Sequence, residues 1–170
     1  MSIDSGGLRS AGPPTISLRP ARADDESYLL GLTGRLASFP LPGWRTAREI
    51  DVADHPALLA ALRDPDPTTL LLVAELNGTR RGYIFVTSRV DFFTAAPHGH
   101  IEVLAVEADA AGQGIGKALV NAAEDWARGR GYGSMTLNVF ARNMAARAVY
   151  DRLGYEQEMV RYRKGIDESP

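Results

Sequence analysis

His100-Ile101-Glu102-Val103-Leu104-Ala105-Val106 is an apolar run interrupted by one acid, and the residues on its C-terminal side decide the fold. A polar bend, Glu107-Ala108-Asp109-Ala110-Ala111, leads into a glycine loop, Gly112-Gln113-Gly114-Ile115-Gly116-Lys117. Ile115, Ala118, Leu119, Ala122, Ala123 and Trp126 then recur at i, i+3, i+4, i+7, i+8 and i+11, the spacing of one helix face. The pattern predicts strand, glycine turn, helix. A helix N-terminus carries backbone N–H groups without intrahelical acceptors, and its dipole favours an anion. With Lys117 beside it, the unit reads as a phosphate cradle.

Two common cradles are excluded by residues. A dinucleotide fingerprint counted from Gly112 or Gly114 ends on Lys117 or Leu119 where glycine is required. A P-loop ending at Gly116-Lys117 has Ala111 for its first glycine and Ala118 for its Ser or Thr. The loop is instead similar to the acyl-CoA pyrophosphate loop of the GNAT N-acetyltransferases, Q/R-x-x-G-x-G/A. Gly114 and Gly116 match it, and Ala111 departs from it at the Gln/Arg position. The plain alternative is a strand-to-helix turn whose glycines serve tight packing.

A second stretch carries the same resemblance. Asn143, Ala146, Tyr150, Gly154 and Tyr155 match the family pattern N-x-x-A-x-x-x-Y-x-x-x-G-F/Y, downstream of the glycine loop. The resemblance covers residues 15–163. It implies an α/β fold (mixed α+β), a central twisted mixed sheet of about 6–7 strands flanked by helices, in the order β-α-α-β-β-β-α-β-α-β. It also implies that acetyl-CoA is the co-substrate. Its cofactor-binding set is then Leu104, Ala105 and Val106 on the strand, and Ala111, Gly112, Gln113, Gly114, Ile115, Gly116 and Lys117 in the loop. Asn138 and Asn143 would contact the pantetheine arm, with Ala146 in the same set.

The reaction so implied is direct attack of an amine on the thioester. It asks for a base to make the amine neutral, an acid for the leaving thiolate and a donor for the oxyanion. Tyr150 is the candidate acid, since its hydroxyl is neutral at pH 7 and can donate; the alternative is a tyrosine buried for packing. Glu102 is the candidate base, acting through water, because an acid inside an apolar strand is costly to bury unless paired or useful. Its alternative is a carboxylate paired with an arginine such as Arg89. His100 is an auxiliary candidate. The oxyanion donor would be the Val106 N–H, where the resemblance implies a strand bulge that opens the sheet.

Composition bounds the rest. A chain of 170 residues, 45% apolar and 24% charged, is long enough for one domain with a real core, expected over residues 15–170. A net charge of −2 argues against a nucleic-acid binder. The chain has no cysteine, which excludes disulfides, thiolate metal sites and an acyl-cysteine intermediate. His98 and His100 lack a convincingly spaced third ligand, so no metal is expected. No run reaches the ~18 apolar residues of a membrane span, and no signal-like N-terminus is present; a cytoplasmic location is expected. Residues 1–14, rich in Ser, Gly and Pro, read as a disordered tail.

Along the chain, Thr15 to Arg19 predicts a first strand, Asp24 a helix N-cap, and Thr46-Ala47-Arg48-Glu49 a capping box. Asn77-Gly78 between extended runs predicts a hairpin. Tyr155 to Arg163 predicts a final strand. The acceptor stays open between a small-molecule and a peptide amine, and Phe39, Trp44, Phe92 and Phe93 are candidate pocket aromatics or simple edge residues. A homodimer is open too. The rival from another class is a weakly catalytic CoA-binding sensor of the same fold.

Overall fold

The structure, a computed structural model, describes residues 15–166. The contacts fall into two compact units, Met1–Asn138 and Val139–Pro170. The N-terminal tail expected from composition lies outside the described residues.

The first unit holds one sheet, ordered β1-β2-β3-β4-β5. Its strands are β1 (Ile16–Pro20), β2 (Thr69–Leu76), β3 (Thr79–Val90), β4 (Pro97–Val106) and β5 (Met135–Leu137). Neighbours among the first four run antiparallel, and β5 joins β4 in parallel. Helices α1 (Glu26–Thr33), α2 (Ala47–Ala53) and α3 (His55–Arg63) precede β2, and α4 (Ile115–Gly129) is the crossover from β4 to β5. The second unit contains α5 (Met144–Arg152).

Both faces of β3 are buried, which explains its unbroken apolar centre. Tyr83 and Phe85 join Leu29, Leu32, Leu58, Val73, Val103 and Ala105 in one core cluster under α1 and α3. Ile115, Leu119, Val120 and Ala123 are buried on the apolar stripe of α4. The β2–β3 turn is the expected Asn77-Gly78 hairpin, with positive φ at both residues (51° and 78°). Thr46 and Glu49 form the predicted capping box: Glu49 N–H donates to Thr46 Oγ1 at 3.2 Å and Thr46 N–H to Glu49 Oε2 at 2.7 Å.

Three expectations change. The sheet has five strands among the described residues, not six or seven. Residues 155–163, expected as a last strand, carry no ladder; from Glu156 onward they are exposed, Met159, Val160 and Tyr162 included. The expected cap Asp24 is exposed, and Asp25 does the local work. Asp25 is fully buried. Its carboxylate accepts from Arg19 Nη1 and Nη2 at 2.7 and 2.9 Å, from the Arg22 N–H at 2.8 Å and from Arg80 Nη1 at 3.2 Å. Arg19 also donates from Nε to Glu75 at 2.7 Å, so one guanidinium ties β1 to β2 and to the start of α1.

The Arg19 hydrogen bonds lower the Asp25 carboxyl from 3.8 to about 2, against the opposing effect of burial. The carboxyl's folded value lies below its unfolded one, so its contribution is complete above pH 3.8 and is lost as pH falls towards about 2. Asp25→Ala strands Arg19 beside a buried gap and is expected to lower stability by about 3–5 kcal/mol. Urea unfolding at pH 7 measures it, and a loss under about 1 kcal/mol would show that the pair is solvated and weak.

Candidate functional site

The ladder between β3 and β4 contains one irregularity. Phe85 pairs with Val103 and Val86 with Ile101, so Glu102 is an extra residue on β4. In such a bulge consecutive residues share a face. Val103 packs with Phe85 in the core under α1 and α3, and Glu102 is turned the same way, onto Thr87 and Arg89. The expected bulge at Val106 therefore lies four residues earlier in β4. The reason is chemical: the strand's one acid leaves the regular ladder, where it reaches a hydroxyl and a guanidinium.

Glu102 Oε1 accepts from Thr87 Oγ1 at 2.5 Å, and from Arg89 Nε and Nη2 at 3.1 and 2.8 Å. Oε2 accepts from Arg89 Nη2 at 2.7 Å. The sequence alternative of an Arg89 partner is thus realised, with Thr87 added. His100 Nδ1 lies 2.7 Å from Thr136 Oγ1, and its Nε2 lies 3.4 Å from Asn138 Nδ2 and 4.0 Å from Glu102 Oε2. Thr136 Oγ1 can donate or accept, so the roles of the two ring nitrogens follow the tautomer. Burial, reinforced by Arg89, lowers His100 from 6.5 to about 4, although Glu102 pulls upward.

Past this group β4 loses one neighbour. It pairs with β5 only from Gly99 to Ile101, opposite Met135 to Leu137. The Glu107 N–H donates to Arg81 O at 2.8 Å; by alternation, Ala105 and Val103 also direct their N–H groups to β3, and Leu104 and Val106 direct theirs to the open side. Ala105 belongs to the core with Tyr83. So of the three predicted strand residues, Leu104 and Val106 turn their backbone N–H groups to the open edge, and Ala105 supplies packing.

The open edge leads into the glycine loop. Gly112 and Gly114 have φ of 78° and 85°, a region where a Cβ is strained. Gly114 immediately precedes α4, and the first helical bond is from the Ala118 N–H to Gly114 O at 3.0 Å. The N–H groups of Ile115, Gly116 and Lys117 therefore lie ahead of the helical ladder. A Cβ on Gly116 would lie 3.9 Å from Val106 Cγ2, which places the loop directly against the end of β4. Ala111, Gly112, Gln113 and Lys117 are exposed there, while Gln113 Nε2 donates to Asp109 O at 3.0 Å.

The second unit explains the other sequence pattern locally. Asn143 caps α5, its Oδ1 accepting the Ala146 N–H at 3.1 Å. Gly154 has φ of 86°. The Tyr155 N–H bonds Tyr150 O at 3.0 Å and the Gly154 N–H bonds Asp151 O at 3.1 Å, a Schellman cap. The rings of Tyr150 and Tyr155 meet edge to face at 5.7 Å. Burial raises the Tyr150 phenol to about 12, so it keeps its proton throughout the neutral range.

A glycine loop at a helix N-terminus, beside a strand edge left open in mid-sheet, is the arrangement that the family resemblance implies. The sequence profile of the acetyltransferase (GNAT) family matches residues 34–155, and the chain belongs to that family. A mycothiol acetyltransferase of Rhodococcus erythropolis is 29% identical over 153 residues, 85% of this chain and 48% of the relative. The chain spans about half the length of the curated relatives it matches. A GCN5-related N-acetyltransferase of Ralstonia eutropha superposes with a TM-score of 0.68 at 22% identity, covering 90% of this chain and 100% of that one. An aminoglycoside N-acetyltransferase solved in complex with CoA gives 0.66 at 20%, covering 89% and 96%. Among the described residues no helix is long and apolar enough to cross a membrane.

The His100 ring has a lowered folded value, so protons favour the unfolded chain: stability attributable to it is complete above pH 6.5 and is lost as pH falls towards about 4. In NMR titration the His100 ring signals are expected to stay constant from pH 8 to pH 5.5. A midpoint at or above 6 would show a solvated ring and disprove the Thr136–His100–Asn138 arrangement.

Proposed function

We propose that the chain transfers an acetyl group from acetyl-CoA to a primary amine of a small acceptor. The observation that carries this reading is the open β4 edge at Leu104 and Val106, running into the left-handed glycines before α4. In this reading the pyrophosphate takes the N–H groups of the loop at Gly112 to Lys117, and the pantetheine follows the open edge towards Asn138. Asn143 and Ala146 complete the binding set by their match to the family pattern. Loss of Gln or Arg at Ala111 removes a side-chain contact and leaves the backbone donors.

The amine nitrogen attacks the thioester carbonyl, the oxyanion takes the Val106 N–H, and the C–S bond breaks as the thiolate accepts a proton. Tyr150 supplies that proton, which its raised value keeps available. Glu102, acting through a bridging water, takes the proton that the amine must lose. A small acceptor is supported by the relatives named mycothiol acetyltransferase and by the aminoglycoside N-acetyltransferases of the same fold.

The test follows CoA release from acetyl-CoA with a panel of primary amines. Tyr150→Phe is expected to lower kcat by about 10²–10⁴-fold while calorimetric CoA binding is retained. Gly114→Ala strains a residue at positive φ by about 1–2 kcal/mol and is expected to weaken CoA binding about tenfold. Tight CoA binding by the wild type with no turnover on any amine would favour the sensor reading, and no CoA binding would overturn both.

A further inference from the structure

We infer that Arg81 of β3 is a positioning residue for the glycine loop, readying it for the phosphates of acetyl-CoA where Ala111 supplies no Gln or Arg. The inference rests on the acetyl-CoA reading above and adds a residue that lies outside both the loop and the family pattern. The loop's own stretch is poorly charged for an anion. From Glu107 to Lys117 it carries two acids, Glu107 and Asp109, and one cation, Lys117. Asp109 stands two residues before Ala111, and a carboxylate that close to a bound diphosphate repels it unless its charge is cancelled.

Arg81 meets that carboxylate directly. In the β2–β3 ladder Ala74 pairs with Gly82 and Glu75 with Arg80, so Arg81 is an extra residue on β3. The bulge re-aims the strand and lets two successive arginines part. Arg80 Nη1 reaches the buried Asp25 at 3.2 Å, while Arg81 Nη1 reaches Asp109 Oδ2 at 2.9 Å. Arg81 holds the same segment by its backbone, its carbonyl accepting the Glu107 N–H at 2.8 Å. Asp109 lies in a single 3-10 turn, Ala108–Ala110, and its carbonyl accepts from Gln113 Nε2 at 3.0 Å. A line of bonds therefore runs from β3 through Arg81 and Asp109 to Gln113, inside the loop. The flanking supports are steric: Gly114 faces Ile16 on β1 and Gly116 faces Val106 on β4. In the sheet order β3 lies between those two strands, so the Arg81 tie falls between the two supports.

The balance of energies places the consequence on the ligand. The Arg81 and Asp109 side chains are 32% and 69% exposed, and a pair so open to water adds little to the stability of the fold. CoA carries a pyrophosphate and a 3′-phosphate. An unpaired Asp109 would face several negative charges at once, whereas the paired one faces them with its own charge cancelled. The tie also orders Gln113 before the ligand arrives, and a loop already ordered loses less freedom on binding.

The experiment uses the full chain, calorimetric CoA binding, and turnover with two acyl donors. One is acetyl-CoA; the other is S-acetylpantetheine, which keeps the thioester and the pantetheine arm and has no phosphate. Arg81→Ala is expected to raise the CoA Kd and the KM for acetyl-CoA about three- to tenfold at low salt, less at high salt. Its kcat, its urea midpoint and its kcat/KM with S-acetylpantetheine are expected to stay at the wild-type values. Arg81→Lys keeps a cation beside Asp109 and is expected to retain most of the affinity. Arg81→Asp with Asp109→Arg rebuilds the pair with its signs exchanged and is expected to recover the affinity that Arg81→Asp alone loses. Arg81→Ala with wild-type CoA affinity overturns this inference alone. So does an exchanged pair as weak as Arg81→Asp, which would show Arg81 touching the phosphates itself. A wild type that binds no CoA overturns the acetyl-CoA reading and this inference together.

Discussion

One extra residue in β4 sets the geometry on both sides of the sheet. Side chains alternate along a strand, so without the bulge at Glu102 every later residue would face the opposite way. Val103 and Ala105 would leave the core under α1 and α3, and Leu104 and Val106 would exchange places with them. Because Val103 and Ala105 are both nearly fully buried with Tyr83 and Phe85, the register is fixed by hydrophobic burial. The acid is what the shift accommodates. Its four hydrogen bonds meet the requirement that a half-buried carboxylate be paired, and the same shift puts Leu104 and Val106 on the edge that β5 leaves open.

The two ends of the first unit are held by different forces. At β1 and β2 the tie is ionic, with Arg19 between Asp25 and Glu75. At the glycine loop it is steric: the chain turns through left-handed glycines against β4, and a Cβ on Gly114 would stand 3.7 Å from Ile16 Cδ1. The loop thus presses on both the first and the fourth strand, and its backbone donors are presented by a stiff support. Preorganised donors lose little on binding, which is what a phosphate site needs.

The face under α1 and α3 has another character. It gathers Glu102, Arg89 and His100, and beneath the helices the Thr33 hydroxyl lies 2.6 Å from Asp51 Oδ1 and 2.8 Å from His55 Nε2. Charged and polar groups here lie next to the deepest apolar cluster, so their interactions are weakly screened and their proton affinities move apart.

The sequence by itself determined the strand, loop and helix from His100 to Trp126, the hairpin at Asn77-Gly78, the capping box at Thr46 and the family resemblance. These are legible because each rests on neighbours in the chain: a period, a turn dipeptide, a cap three residues away. It also singled out Glu102 and His100 as candidates, with Arg89 as the alternative partner of Glu102. What only the tertiary structure decided was the bulge at Glu102, the use of Asp25 in place of Asp24, and the absence of a ladder over residues 155–163. The bulge is set by the pairing of Phe85 with Val103 and Val86 with Ile101, and pairing across distant strands leaves no periodic trace at the position it affects.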